Sequence, residues 1–342
     1  MGGLAGSLLA DIQIGVRPYW TIFEPFQLQL RWDAIASGIT VVVAIVIAAL
    51  LARTVDDLGL FRPMRLDDLI YIVIGIVPGA VIGGRLLHGI DFMDVYATDP
   101  GALLDPGRGT LSMLGAVLGG TLSGVFVARV LGTEWRRWLD IAAPILLMTI
   151  AGAKFAQFLG GGGQGAAWDG PWAVAFLGAG PWTSVMPDLP AQPSQLYEAF
   201  WALAGLLPLT WIDSFDVVAA LPPGFRQEEE WLEERKARGE EVAPFHLRFG
   251  LLFLFALAWW LAGRFLIGFS WRDEVSIGPL RIEQALALAA LAVVALLVVA
   301  ATRRQPPRRA PVRPEMAINW PAPGSRVDLP MPGKGSTRQG SR

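Results

Sequence analysis

Of the 342 residues none is cysteine and only two are histidine. No disulfide, no thiolate metal site and no protein-borne thiol nucleophile can be built from such a chain. His88 and His246 alone do not make a metal-ligand cluster. Charge is also scarce, at 17% of residues, and the net charge of −2 points to no particular partner. No basic stretch precedes an early apolar core, so the beginning does not read as a cleaved signal peptide, and no internal repeat is evident. What the chain has in excess is apolar surface: 53% of its residues are hydrophobic.

That apolar content comes in runs of the length a helix needs to cross about 30 Å of hydrocarbon. Seven can be marked, at about 34–52, 69–90, 111–131, 139–159, 195–212, 249–269 and 282–301. The expected fold is all-α, a polytopic membrane protein with about seven transmembrane helices. Lys and Arg resist translocation, so their distribution sets the orientation. With seven helices, one side collects nineteen of them and the other five, Arg17, Arg31, Arg108, Arg272 and Arg281. This places the N-terminus outside and the C-terminus in the cytoplasm. Residues 1–33 then form an extracytoplasmic segment with room for a surface-lying apolar helix, 34–301 the transmembrane domain, and 302–342 a disordered basic cytoplasmic tail. The tail, with "RRQPPRRAPVRP", suits a solvated topology-fixing role or contact with anionic lipid heads. The charge-dense stretch 226–241 reads as a short amphipathic helix or a disordered segment. Gly75, Gly79 and Gly83 recur every four residues in the second run, and Gly115 with Gly119 and Gly120 with Gly124 in the third, a spacing that lets helix backbones approach closely.

Arg85, Lys154 and Arg264 lie inside apolar runs, each about five residues before the outer end of its helix. A charge in hydrocarbon costs about 2.5 kcal/mol or more, so it either snorkels to the interface or faces a polar interior. Three cations at one depth favour a shared pocket for an anion, and phosphate suits them because Arg offers it bidentate donors and Lys a point charge. Glu198 and Glu283 are the acids that the topology brings near. The fifth run opens at that same level with "QPSQLYE", residues 192–198. Its polar side chains need partners if drawn into hydrocarbon. The glycines of "FLGGGGQG", 158–165, either cradle a ligand beside Lys154 or form a plain loop.

At these residues the chain resembles the prolipoprotein diacylglyceryl transferases. "QPSQLYE" keeps six of the seven positions of that family's His-Pro-Ser/Thr-Gln-Leu-Tyr-Glu, with Gln192 in place of histidine. "AKFAQFLGGGGQGAAWDGPWAVAF" is similar to the family's Gly-Arg-Ile-Gly-Asn/Cys-Phe segment and the Asp-Leu-Pro-Trp-Ala stretch after it, so Lys154 takes the place of an essential arginine and Gln157 that of an asparagine or cysteine. "GGRLLHGIDF" and "AGRFLIGFSWRDE" match further family segments and carry Arg85 and Arg264. The resemblance spans roughly residues 28–301. It departs from the family at Leu114, where a histidine is usual, at Gly162 and Gly268, where carboxylates are, at Ala166, where an arginine is, and at Asp33, where a tyrosine is.

The resemblance implies a multi-pass protein of the bacterial cytoplasmic (inner) membrane. The implied reaction moves a diacylglyceryl group from phosphatidylglycerol to the lipobox cysteine of a preprolipoprotein, the first step of lipoprotein maturation. Its implied partners are the lipid, the precursor's signal peptide and the membrane, with no cofactor, metal or nucleic acid. Lys154, Arg264 and Glu198 are the expected catalytic residues, the cations stabilising the leaving phosphate and Glu198 orienting a cation or acting as base. Arg85, Gln157, Gln192, Ser194, Gln195 and Tyr197 are the expected substrate-binding residues; Tyr197 also fits an interfacial anchor. A homologue that binds the phospholipid or the precursor without transfer is the alternative reading. Paired broken helices of the transporter kind are not evident.

Overall fold

The computed structural model describes residues 12–23, 28–54, 66–103, 111–133, 135–214 and 250–303. The charge-dense stretch 226–241 and the tail from 304 lie outside the described residues. The chain order is β1 Ile12–Ile14, β2 Tyr19–Phe23, β3 Leu28–Arg31, α1 Trp32–Thr54, α2 Leu66–Asp91, α3 Met93–Thr98, α4 Met113–Val130, α5 Trp135–Leu159, β4 Val174–Phe176, α6 Ser194–Ala204, α7 Leu206–Ser214, α8 Leu251–Ile267 and α9 Ile282–Arg303. A 3-10 turn, Gly268–Ser270, extends α8.

Among the described residues six helices, α1, α2, α4, α5, α8 and α9, are long and apolar enough to cross a membrane. The fifth apolar run, 195–212, folds as two consecutive helices, α6 and α7, that meet at Gly205. The break has a local cause. Pro208 has no N–H to donate to the carbonyl of Ala204, and its ring crowds that carbonyl, so the ladder cannot run unbroken. The described part of the N-terminal segment, residues 12–23 and 28–31, carries strands, which the expectation from the sequence did not include: β2 pairs antiparallel with β3, Trp20 opposite Leu30, and β1 pairs parallel with β4, Gln13 opposite Ala175. Ile12, Ile14, Tyr19, Trp20, Thr21 and Ile22 are β-branched or aromatic, the side chains that suit strands, and Gly15 and Pro18 break any helical period.

The glycine stripes account for the tightest helix pair. A side chain on Gly119 would sit 2.9 Å from the Cα of Gly83, and one on Gly83 the same distance from the Cα of Gly119. The α2 and α4 backbones therefore touch. Ser123 adds a hydrogen bond from its hydroxyl to the carbonyl of Gly75 at 2.6 Å. Around this pair, α5 supplies the central buried helix, with Ala143, Leu147, Ile150 and Ala151 in the core.

Two devices fix α8 against its neighbours. Asp140 of α5 accepts the backbone N–H of Gly250 at 2.7 Å and of Leu252 at 3.2 Å. It thus caps α8 from another helix, satisfying donors that a helix start leaves open. Gly250 can take the φ of +91° that this helix start demands because it lacks a Cβ. Further along, Trp201 of α6 and Trp259 of α8 stack at 4.8 Å, and each indole N–H donates 2.8 Å to the other residue's carbonyl. Gly205 and Gly263 leave the space that the two indoles occupy.

Candidate active site

The inward stripe of each central helix ends in a charge. On α5 the buried positions 143, 147, 150 and 151 continue to Lys154, and on α8 positions 253, 257, 260 and 261 continue to Arg264, all at spacings of three or four that share a helix face. On α6, Gln195, Glu198, Ala199 and Ala202 form the buried face. Lys154 is 8% exposed, Arg264 5% and Glu198 3%. These groups face the bundle interior and not the outer surface from which a side chain snorkels.

They are joined. Lys154 Nζ lies 3.2 Å from Glu198 Oε1, and Arg264 Nη1 donates to Glu198 Oε2 at 2.8 Å. Trp271 donates its indole N–H to Glu198 Oε1 at 3.2 Å and stacks its ring under the Arg264 guanidinium at 4.5 Å. Arg264 Nη2 pairs with Glu283 Oε2 at the start of α9, and Glu283 Oε1 accepts the hydroxyl of Ser112 at 2.9 Å. Charge within this group is balanced, two cations against two carboxylates. Three donors already hold Glu198, which fits it to orient Lys154 and Arg264 better than to take up a proton. Glu283 was recognisable as an acid near this depth, but only the fold shows that it holds Arg264; Trp271 and Ser112 carry no signal in the sequence.

The remaining expected residues separate into groups. Gln195 is 1% exposed, and neither its amide oxygen nor its amide nitrogen has a partner among the described residues; the same holds for Arg264 Nε and the Trp260 indole N–H. Unpaired buried polar atoms of this kind call for a ligand or water. Arg85 is buried on α2, beside Gly84, whose carbonyl accepts the backbone N–H of Ser112 at 3.1 Å. Ser194 is committed to structure: its hydroxyl meets Ser270 Oγ at 2.7 Å and donates to the Ser270 carbonyl at 3.1 Å. Gln192 is held through its backbone, which pairs with Gly165 and Ala166. Tyr197 accepts the indole N–H of Trp172 at 2.6 Å. Gln157 is exposed and lies against Gly162 and Gly163.

The glycine run ends α5 and turns back. Gly162 N–H donates to the Gln157 carbonyl at 2.9 Å, Thr183 donates both its N–H and its hydroxyl to the Gly160 carbonyl at 3.0 Å, and Gly161 and Gly163 have φ of +69°. A Cβ on Gly160 would lie 2.8 Å from the Asp33 carboxylate, itself bound to Arg31 at 2.9 Å. The run is thus a packed turn tied to β3 and to the segment 181–183.

Two of the positions that depart from the family motifs, 114 and 268, are filled. Leu114 is fully buried. The space a side chain at Gly268 would take holds Gln284, whose amide donates to the Phe265 carbonyl at 3.0 Å and accepts the Arg281 N–H at 3.0 Å.

The family model for prolipoprotein diacylglyceryl transferase matches residues 21–222, more than half of the chain. The chain belongs to this family. A relative from a Nostoc species, a phosphatidylglycerol–prolipoprotein diacylglyceryl transferase, is 26% identical over 268 residues, covering 77% of this chain and 82% of its own. One of the same name from Bacillus cereus is 25% identical over 262 residues, covering 75% and 82%. A third, from Geobacter sulfurreducens, is 31% identical over 134 residues, covering 39% and 49%. At such identities the chain is a divergent member of a multi-pass membrane family.

Proposed function

We propose that this protein transfers a diacylglyceryl group from phosphatidylglycerol to the lipobox cysteine of a preprolipoprotein in the bacterial cytoplasmic membrane. The carrying observation is the buried Lys154–Glu198–Arg264 network with unpaired donors at Arg264 Nε and Gln195 beside it. The relatives' names supply the substrates. In the reaction a sulfur–carbon bond forms as the carbon–oxygen bond to the phosphate breaks; the thiol proton is lost and the charge departs on glycerol phosphate. Lys154 and Arg264 would receive that charge, since cations fixed by Glu198 before the reaction need no reorganisation as it develops. In this reading Lys154, Arg264 and Glu198 act on the reacting groups, while Arg85, Gln157, Gln195 and Tyr197 surround the lipid head and the entering peptide. Gln192 and Ser194 hold the entrance of α6.

The orientation belongs to the same reading: N-terminus and the segment 160–192 outside, 215–249 and the tail inside. A reporter fused after residue 175 is then exposed outside and one after residue 230 inside. The two on one side would overturn the orientation.

The test of function is transfer of labelled diacylglyceryl from phosphatidylglycerol to a lipobox peptide, with this chain as the sole transferase. Labelled peptide and released glycerol phosphate are expected. Phosphatidylglycerol binding without transfer would instead favour the second reading, a homologue that binds lipid or precursor only. Leu114, an apolar side chain at the position of the family's histidine, is the observation on that side.

A further inference from the structure

We infer that Glu283 is a positioning residue for Arg264, setting which N–H the guanidinium presents to an anionic lipid phosphate; this rests on the proposed function. Arg264 is gripped from two helices. Glu198 of α6 takes Nη1, Glu283 of α9 takes Nη2, and the Trp271 ring lies against one face of the guanidinium. With both terminal nitrogens held by different carboxylates and the face covered, the planar group cannot rotate. Each terminal nitrogen keeps a second N–H, and Nε, buried and without a partner among the described residues, is the guanidinium nitrogen that no protein group engages.

Glu283 is itself anchored. Its second oxygen accepts the Ser112 hydroxyl at 2.9 Å, and that hydroxyl also caps α4 by accepting the Gly115 N–H at 3.4 Å. Ser112 N–H in turn donates to Gly84, next to Arg85. A single carboxylate therefore ties the start of α4 and the start of α9 to the Arg264 side chain. Without it, Arg264 is free to turn both terminal nitrogens onto Glu198 in the bidentate geometry that guanidinium and carboxylate prefer. That turn would carry Nε away from its present direction.

Position and charge have opposite consequences, and the test uses this. Glu283→Gln removes a negative charge beside the anion site, which strengthens attraction for phosphate, and releases the guanidinium, which impairs alignment in the transition state. The expected result is phosphatidylglycerol bound several-fold more tightly with kcat lowered about tenfold or more. Glu283→Asp, which keeps the acid, should restore part of the turnover and the wild-type affinity. Ser112→Ala, which frees one oxygen but keeps the charge, should lower kcat a few-fold at unchanged affinity, and it decides the matter if Glu283→Gln does not fold.

A residue that merely holds the fold would lose affinity and turnover together, with no rescue by aspartate; that result, or wild-type kcat and affinity in both Glu283→Gln and Ser112→Ala, overturns the inference. Binding is measured to phosphatidylglycerol in detergent micelles at fixed salt, with diacylglycerol, which carries no phosphate, as the uncharged-head comparison. If the wild-type protein shows no transfer, the proposed function fails on that arm. The binding arm then judges Glu283: tighter phosphatidylglycerol binding in Glu283→Gln supports its place beside the anion site, and unchanged binding refutes it.

Discussion

The α2–α4 seam and the charged end of α5, α6, α8 and α9 solve one problem in opposite ways. Within hydrocarbon, helices gain nothing by hiding apolar surface from lipid, so their association rests on close packing or on polar contacts. The seam uses packing: Gly75, Gly79, Gly83, Gly115 and Gly119 bring two backbones together, and Ser123 adds a side-chain hydrogen bond to the Gly75 carbonyl. The charged end uses pairs: two acids join four helices through Lys154 and Arg264. Seams of the first kind tolerate no added atom, whereas networks of the second kind tolerate no lost charge. The two regions meet at Ser112, where α4 emerges from the seam and reaches Glu283.

The comparison can be broken most severely at Glu198. Glu198→Ala leaves Lys154 and Arg264 buried against each other with one acid between the two, and breaking a buried pair in this way costs about 3–5 kcal/mol. Loss of transfer and a large fall in the unfolding midpoint in detergent are expected. A midpoint equal to wild type would show that the network contributes nothing to helix association.

The second break is in the seam. Gly119→Leu puts a side chain where Gly83 already lies within 2.9 Å of the new Cβ, and forcing the helices apart should cost about 1–3 kcal/mol. Here stability falls while Lys154, Glu198 and Arg264 keep their pairs. Phosphatidylglycerol affinity should therefore drop less than it does in Lys154→Met. The reverse order would mean that the seam, and not the charges, shapes the lipid site.

Much of this contrast is legible from the sequence because bilayer physics is strict. Long apolar runs, glycines every four residues and isolated charges at one depth each have a narrow set of explanations, and Lys154, Glu198 and Arg264 follow from them. How the site is completed does not: Glu283 is marked only as an acid near that depth, and nothing in the sequence tells that it holds Arg264 and Ser112. Glu283 sits in the first turn of α9, where an acid is ordinary because it complements the helix dipole. Its partner Ser112 is 171 positions away, and no local pattern relates them. The strands escape for a similar reason: β1 and β4 have three residues each and pair across a separation of more than 160 positions, too short for alternation to be visible. The split of the fifth run at Gly205 was signalled by Pro208, a breaker that a hydropathy average conceals.

The smallest expected effect is that of Lys154→Arg, and set beside Lys154→Met it separates charge from geometry within the network. Lys154→Met keeps the length and apolar stem but deletes the charge, and should weaken phosphatidylglycerol binding by the roughly 1.5–3 kcal/mol of a charge-assisted hydrogen bond, about ten- to hundredfold. Lys154→Arg keeps the charge. Lys154 makes one ion pair, to the Glu198 oxygen that Trp271 also holds, while Arg264 takes the other oxygen and stacks on the indole. The planar, bidentate role is thus already filled by Arg264, and Lys154 acts as a point charge. Replacing it by arginine should change lipid affinity by less than about threefold, with a stability cost below about 1.5 kcal/mol for a near volume-conserving change. A tenfold change of affinity in either direction, measured on purified protein at fixed salt, would show that the shape of the cation at 154 matters as much as that of the one at 264.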